Sequence, residues 1–265
     1  MNNTKMKYGF KFQIFFLCCI MIASCDQNEK KLVKEYYQSG KLKKSGWYIN
    51  SKIPVDTIFY YFEDGNFERI EVRNDSGQLK GVTKLYHDNG LIFKEIPYLN
   101  NSVKGFINSY NEKGQLTSRL FYLDTRQIGD GYWYAHSGKI IQYGFNGFGK
   151  DYRNFIKYDE NGKILEKIAP IIFMDSISTY LTTDEKVYDV SLLLSNPPNC
   201  RTSVLINYLS QDSIIKLQDS VISQPYYFKK EKFSSDIDRV MFYGKQYDSS
   251  TGKTLSQNMA RSMRN

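Results

Sequence analysis

Six glycines recur along the chain at an almost fixed interval. Gly40, Gly65, Gly90, Gly114, Gly138 and Gly162 stand 25, 25, 24, 24 and 24 residues apart. Four residues before each is a tyrosine: Tyr36, Tyr61, Tyr86, Tyr110, Tyr134 and Tyr158. Two residues after each is a large apolar residue: Leu42, Phe67, Ile92, Leu116, Ile140 and Ile164. A period in this range is the mark of a repeat architecture. It commits the first half of the chain to a stack of like units.

The chemistry of one unit points to a β-hairpin. Short polar residues precede the glycine, as in Glu63-Asp64, Asp88-Asn89, Glu112-Lys113 and Glu160-Asn161. They favour a tight turn, and glycine accepts the positive φ that closes it. A second polar break follows about ten residues later, for example Asn74-Asp75-Ser76-Gly77 and Asn100-Asn101-Ser102. The stretches between the breaks, such as 91–98 and 119–123, are rich in Tyr, Phe, Ile and Val at strand length. Each unit is therefore two antiparallel strands, and the chain meanders from hairpin to hairpin. Gly81, Gly105 and Gly129 lie nine residues before a turn glycine, a slot held by Asp56 and Arg153 in other copies. A small residue there is expected to let neighbouring hairpins approach closely. One hairpin buries too little apolar surface to stand alone, so stacking supplies the stability.

Segments such as Lys84-Leu85-Tyr86-His87-Asp88-Asn89-Gly90-Leu91-Ile92-Phe93-Lys94 and Lys157-Tyr158-Asp159-Glu160-Asn161-Gly162-Lys163-Ile164 resemble the variant MORN repeats of bacterial proteins. That group is often labelled antitoxin-like. The resemblance covers residues 31–168 and implies a hairpin-repeat sheet. It also implies an immunity or antitoxin-like role as one alternative.

Residues 1–24 read as an export signal. Lys5, Lys7 and Lys11 form a positive start, and residues 14–22 are an unbroken apolar run, too short to span a bilayer. Ile22-Ala23-Ser24-Cys25 resembles a bacterial lipobox, with Cys25 the lipidated residue. Residues 25–31 are expected to be a tether, and the protein to be held by lipid in the bacterial envelope, at the outer membrane or cell surface rather than inside the cell. Once the signal and Cys25 are set aside only Cys200 remains, so no intramolecular disulfide can form. Cys200 follows Asn196-Pro197-Pro198-Asn199, a loop signal.

The formal charge is +8, and +5 without the three signal lysines. The lysines are scattered along strands and turns and do not form the basic stripe of a nucleic-acid binder. They are expected to solvate the sheet and blunt its edges.

The glycine period stops after Gly162, and Ala169-Pro170 marks a boundary. Residues 187–195, 202–209, 213–221, 226–233 and 238–247 read as short strands, with room for one more in 171–186. The expectation is an all-β chain: an extended antiparallel meander of six hairpin repeats over 32–168, then a small β-sandwich-like domain over 171–248. This second region is expected to cap the exposed end of the repeat sheet. Residues 249–265 are expected to form a polar, frayed tail.

No catalytic constellation is evident. His87 and His136 sit in turn slots two repeats apart, too few for a metal site. The motifs of serine hydrolases, phosphate loops and zinc proteases are missing. No cofactor is expected. The aromatics stand out, with 22 Tyr and 17 Phe. A row of rings on a sheet face can bind a glycan, a peptide or a protein edge, or can fill a thin core. The repeat tyrosines are expected to be core, with Tyr134 mostly buried. Trp133 is expected to face the other way and to be more exposed. Trp133, Trp47 and Tyr132 are the candidate binding residues. The sequence thus reads as a non-enzymatic, lipid-anchored scaffold for an unidentified protein or envelope glycan. The other alternative is an enzyme accessory or hydrolase with its site in the C-terminal domain.

Overall fold

The computed structural model describes residues 29–147, 152–168, 173–182, 185–213, 215–222, 226–232 and 237–262. The signal segment and Cys25 lie outside the described residues. The chain is all-β. Twelve strands form one antiparallel sheet in strict sequence order. They are β1 (Lys30–Tyr36), β2 (Leu42–Ile49), β3 (Ile53–Tyr61), β4 (Phe67–Arg73), β5 (Gly81–Tyr86) and β6 (Ile92–Leu99), then β7 (Ser102–Tyr110), β8 (Leu116–Leu123), β9 (Arg126–Tyr134), β10 (Ile140–Asn146), β11 (Tyr152–Tyr158) and β12 (Ile164–Ile168).

The repeat glycines close one edge of this meander. In the first unit Gly40 N–H donates to Tyr37 O, and Tyr37 N–H donates to Lys41 O. The same pair of bonds recurs at all six turns, and every one of the six glycines has positive φ, Gly114 at 75°. Beside each turn the strand pairing slips by a residue, as between Ser109 and Tyr110. This is a type I turn with a glycine bulge, whose twist suits an antiparallel pair. Opposite turns use other means: Asn50-Ser51 and Asn100-Asn101 hold positive φ at both residues. The close-approach expectation holds at Gly105 and Gly129, where a Cβ would come within 3.1 Å of Pro97 Cγ and 3.3 Å of Phe121 Cδ1 on the neighbouring hairpin, and fails at Gly81. A Cβ there would meet open space, whereas φ is +66°, and Asp56 in the same slot stands at +59°. The slot selects for a left-handed backbone at a strand irregularity.

Successive turns are bonded into a column. Asn66 Nδ2 donates to Asp88 O (2.8 Å), Asn89 Nδ2 to Glu112 O (2.7 Å), Gln115 Nε2 to His136 O (2.8 Å) and Lys139 Nζ to Glu160 O (2.9 Å). Each acceptor lies two residues before the next turn glycine. The short polar residues of the turns thus join one unit to the next.

Apolar burial in the sheet is concentrated at its two ends. Val55 and Ile58 are buried near the start, and Phe121, Ile128, Tyr143, Phe145 and Ile156 near the finish. Between them β4–β7 bury only Glu71 and Thr83. Glu71 is neutralised by Arg69 (2.9 Å) and Arg73 (2.6 Å), the pairing a buried carboxylate requires.

The described residues of the second region form seven strands: β13 (Phe173–Thr182), β14 (Glu185–Leu194), β15 (Cys200–Ser210), β16 (Ile215–Ile222), β17 (Tyr226–Lys232), β18 (Ile237–Asp248) and β19 (Lys253–Ser262). They make a three-stranded sheet, β13-β14-β17, and a four-stranded sheet, β16-β15-β18-β19. The two share a core of Val190, Leu192 and Leu194 with Val204, Ile206, Tyr208, Val240 and Phe242. The expected frayed tail is corrected here, because β19 pairs with β18 from Asp248↔Lys253 to Arg239↔Ser262. A local turn starts this hairpin: Asp248 Oδ1 accepts from Ser250 N (2.9 Å), and Gly252 N donates to Asp248 O. Backbone pairing holds a strand there that composition does not signal.

If the turn geometry organises the sheet, Gly114→Val should cost about 1–2 kcal/mol or more through left-handed strain alone. Urea unfolding of the two proteins measures the difference. An unchanged midpoint would contradict this account of the turn.

Candidate functional site

One cross-strand row takes a residue from every strand of the sheet. It runs from Lys34 through Phe59, Glu95 and Tyr132 to Lys167. The repeat tyrosines lie two residues beyond this row on the odd-numbered strands, so all six share its face. Their rings interleave with other aromatics: Tyr61 stacks on Phe67 at 5.2 Å, and Phe67 lies 5.8 Å from Tyr86. Further along, Tyr132 sits 6.2 Å from Phe106 and 5.4 Å from Tyr143. The tyrosines are not the buried core that was expected. Tyr36 is 57% exposed, and the other five, Tyr134 among them, are half-buried. Among the described residues, a second layer covers this face only at its far end.

The three candidate binding residues separate. Trp47 is 43% exposed on the tyrosine face, beside its cross-strand neighbour Leu32. Trp133 occupies the opposite face and is half-buried. Its ring lies over Gly131, where a Cβ would come within 3.0 Å of Cη2. Trp133 and Tyr134 are thus both half-buried, on opposite faces. Tyr132 is committed elsewhere, since its hydroxyl donates to Asn196 O at 2.6 Å.

That bond belongs to a junction the sequence did not disclose. The C-terminal part of β14, residues 190–194, is buried on both sides. Leu192 and Leu194 enter the core of the second region, while Leu193 packs with Phe121, Ile128, Tyr143, Phe145 and Ile156 of the repeat sheet. At the centre stands Asp130, 1% exposed. Its Oδ1 accepts from Tyr143 OH (2.7 Å) and Asn196 N (2.9 Å), and its Oδ2 from Asn196 Nδ2 (3.1 Å). Burial pushes the Asp130 carboxyl up to about 6 although these donors pull it down. Desolvation therefore outweighs three hydrogen bonds.

Beside the junction lies a cleft of about 150 Å³, walled by Tyr143, Ile156 and Tyr158 of the repeat sheet and by Pro197, Cys200 and Gln246 of the second region. Lys167, Asp248 and Ser195 add polar groups. Ser195 Oγ is buried without a hydrogen-bond partner. Burial, then the charge of Asp248, pushes the Cys200 thiol up. Burial and the neighbouring Cys200 and Asp248 push the Tyr158 phenol up to about 12. Both shifts favour the protonated form, and a protonated thiol is a poor nucleophile. The cleft can accept a small polar molecule. His87 and His136 remain apart in the turn column, His87 Nε2 3.0 Å from Tyr110 O and His136 Nδ1 3.5 Å from Asn111 Nδ2.

No protein-family model matches the chain, and no curated protein sequence is significantly similar to it.

Two outcomes follow from the junction. Tyr143→Phe keeps the ring but removes a donor to a buried carboxylate, and should cost about 1.5–3 kcal/mol in chemical denaturation. The pH dependence has a definite sign. An acid whose pKa is raised on folding binds its proton more tightly in the folded state, so its contribution falls as pH rises from about 4 to about 6. Asp130→Asn should abolish this component, on the order of 2–3 kcal/mol. Urea midpoints measured across that window should therefore converge at low pH and favour the variant at neutral pH.

Proposed function

We propose that the chain is a lipid-anchored protein of the bacterial envelope whose repeat sheet is a non-catalytic binding or scaffold surface. Its partner would be a protein or an envelope polymer. The observation that carries this reading is the open tyrosine face. Aromatic rings stay half-exposed on it while, among the described residues, the second region packs over its far end. Tyrosine rings present large contact area at low conformational cost, which suits recognition. The lipobox at Cys25 and the resemblance to MORN repeats support the anchor and the scaffold parts of the reading. The upward shifts of the Cys200 thiol and the Tyr158 phenol weaken the case for either as a nucleophile in the cleft. The cleft remains the basis of the second reading, an enzyme accessory acting through a small ligand.

Two measurements test the proposal. A fatty-acid probe should label the wild-type chain and fail to label Cys25→Ser; label retained in the variant would refute the anchor. A photo-crosslinking residue at position 61 or 86 should trap a partner in intact producing cells. Adducts at Leu255, on the cleft, with none at 61 or 86, would move the function to the second reading.

A further inference from the structure

The charge of this chain is unevenly placed. Residues 29–53 hold seven lysines and two glutamates, an excess equal to the +5 of the whole chain without its signal lysines. Three of these lysines are neutralised. Lys30 pairs with Asp56 (3.1 Å) and Asp75 (3.6 Å), Lys31 with Glu29 (3.0 Å) and Lys44 with Glu35 (3.3 Å). Lys34, Lys41, Lys43 and Lys52 are exposed and form no ion pair with a described residue.

These four lysines surround an apolar patch, Lys43 with its ammonium 5.5 Å from the centre of the Tyr37 ring. Leu32 faces Trp47 across the β1–β2 pair, and Lys34 faces Ser45 two residues on, so Leu32, Lys34 and Trp47 share the tyrosine face. Ile53 pairs with Ile49 and joins the same face. Leu32 is 50% exposed, and Trp47 and Ile53 are nearly as open. Lys41 and Lys43 lie by the turn at one end of the hairpin, Lys52 by the turn at the other. An exposed tryptophan with aliphatic neighbours and a lysine rim is the composition of a surface that sits at the headgroup level of a bilayer.

The covalent chain puts this patch within reach of a membrane. Cys25 precedes Lys30 by five residues, a span of at most about 18 Å. β1 is therefore the strand nearest the proposed lipid.

We infer that the exposed patch around Leu32 and Trp47, with Lys34, Lys43 and their neighbours, docks on the anionic phospholipid headgroups of the membrane that holds the Cys25 lipid. This rests on the lipid-anchor reading. Each unpaired lysine close to such a surface raises local partitioning about fivefold, an effect that salt screens. Docking would hold the first strands at the membrane and direct the remainder of the sheet away from it.

The test uses the processed, lipidated protein carrying Trp133→Phe, which leaves Trp47 as sole tryptophan. It is reconstituted into phosphatidylcholine vesicles containing a bromine-labelled lipid, with or without phosphatidylglycerol. Flotation reads the anchor, and quenching of Trp47 reads the patch. With phosphatidylglycerol, Trp47 should be quenched, and added salt should reverse it. The Lys34→Glu/Lys43→Glu variant should float as well but fall to the quenching of neutral vesicles. The same signal is read by difference in Trp47→Phe with Trp133 retained, should Trp133→Phe misfold. A chain that floats with Trp47 unquenched, or equally quenched in neutral vesicles, overturns the docking alone. A chain that does not float overturns the anchor and the docking with it.

Discussion

A single-layer sheet has no interior, and that constraint governs this molecule. Side chains on either face of β4–β7 have only their neighbours on the same sheet to pack against. Stability there comes from backbone pairing, cross-strand rings and the turn column, not from a volume of apolar atoms. The only described place where the tyrosine face is covered by a second layer is the end that meets β14. There the burial becomes complete, and Tyr143 and Phe145 are nearly sealed from water. The half-exposed state of the repeat tyrosines follows directly. Their recurrence resembles core patterning, yet recurrence reports position on a face and says nothing of what covers that face.

The hairpin turns were legible because one atom-level requirement repeats six times. Only glycine tolerates the bulge geometry without strain, so the requirement is written openly in the chain. The strands of the second region were legible for a related reason, since their apolar runs are bounded by turn residues. β19 was not, because Lys253–Ser262 is polar and its order comes from pairing with β18. Nor was the junction. Asp130 looks like one more polar residue in a glycine-rich strand, and Asn196 like one more loop residue. Their meeting joins positions 66 residues apart, and no local pattern records it. A partial signal existed in Leu192-Leu193-Leu194, since three consecutive leucines in a strand imply burial on both sides.

Asp130 also shows how electrostatics and architecture are coupled. An ionised carboxylate without solvent is tolerated only because Asn196 supplies both its main-chain and its side-chain donor, and Tyr143 the third. The loop that carries Asn196 is stiffened by Pro197 and Pro198 and opens directly onto the cleft. The second region is thereby fixed to the repeat sheet by polar contacts of defined geometry at its centre, with Leu193 and Tyr226 supplying apolar contact around them. A surface of this kind tolerates little sliding, because displacement leaves the carboxylate unpaired.

The turn column has a consequence of another kind. Its acceptor carbonyls all sit two residues before a repeat glycine and its donor side chains one residue to either side of the preceding glycine, so the bonding pattern is indifferent to how many units stand between its ends. Excision or duplication of one whole period brings an old donor to a new but equivalent carbonyl. Loss of half a period destroys the match and inverts the direction of every following strand. The chain can therefore change length only in quanta of two strands, each worth about 9–10 Å of sheet width. In that sense the repeat region is a ruler, and its number of graduations sets the separation between the first strand and the region built around β14 and β15.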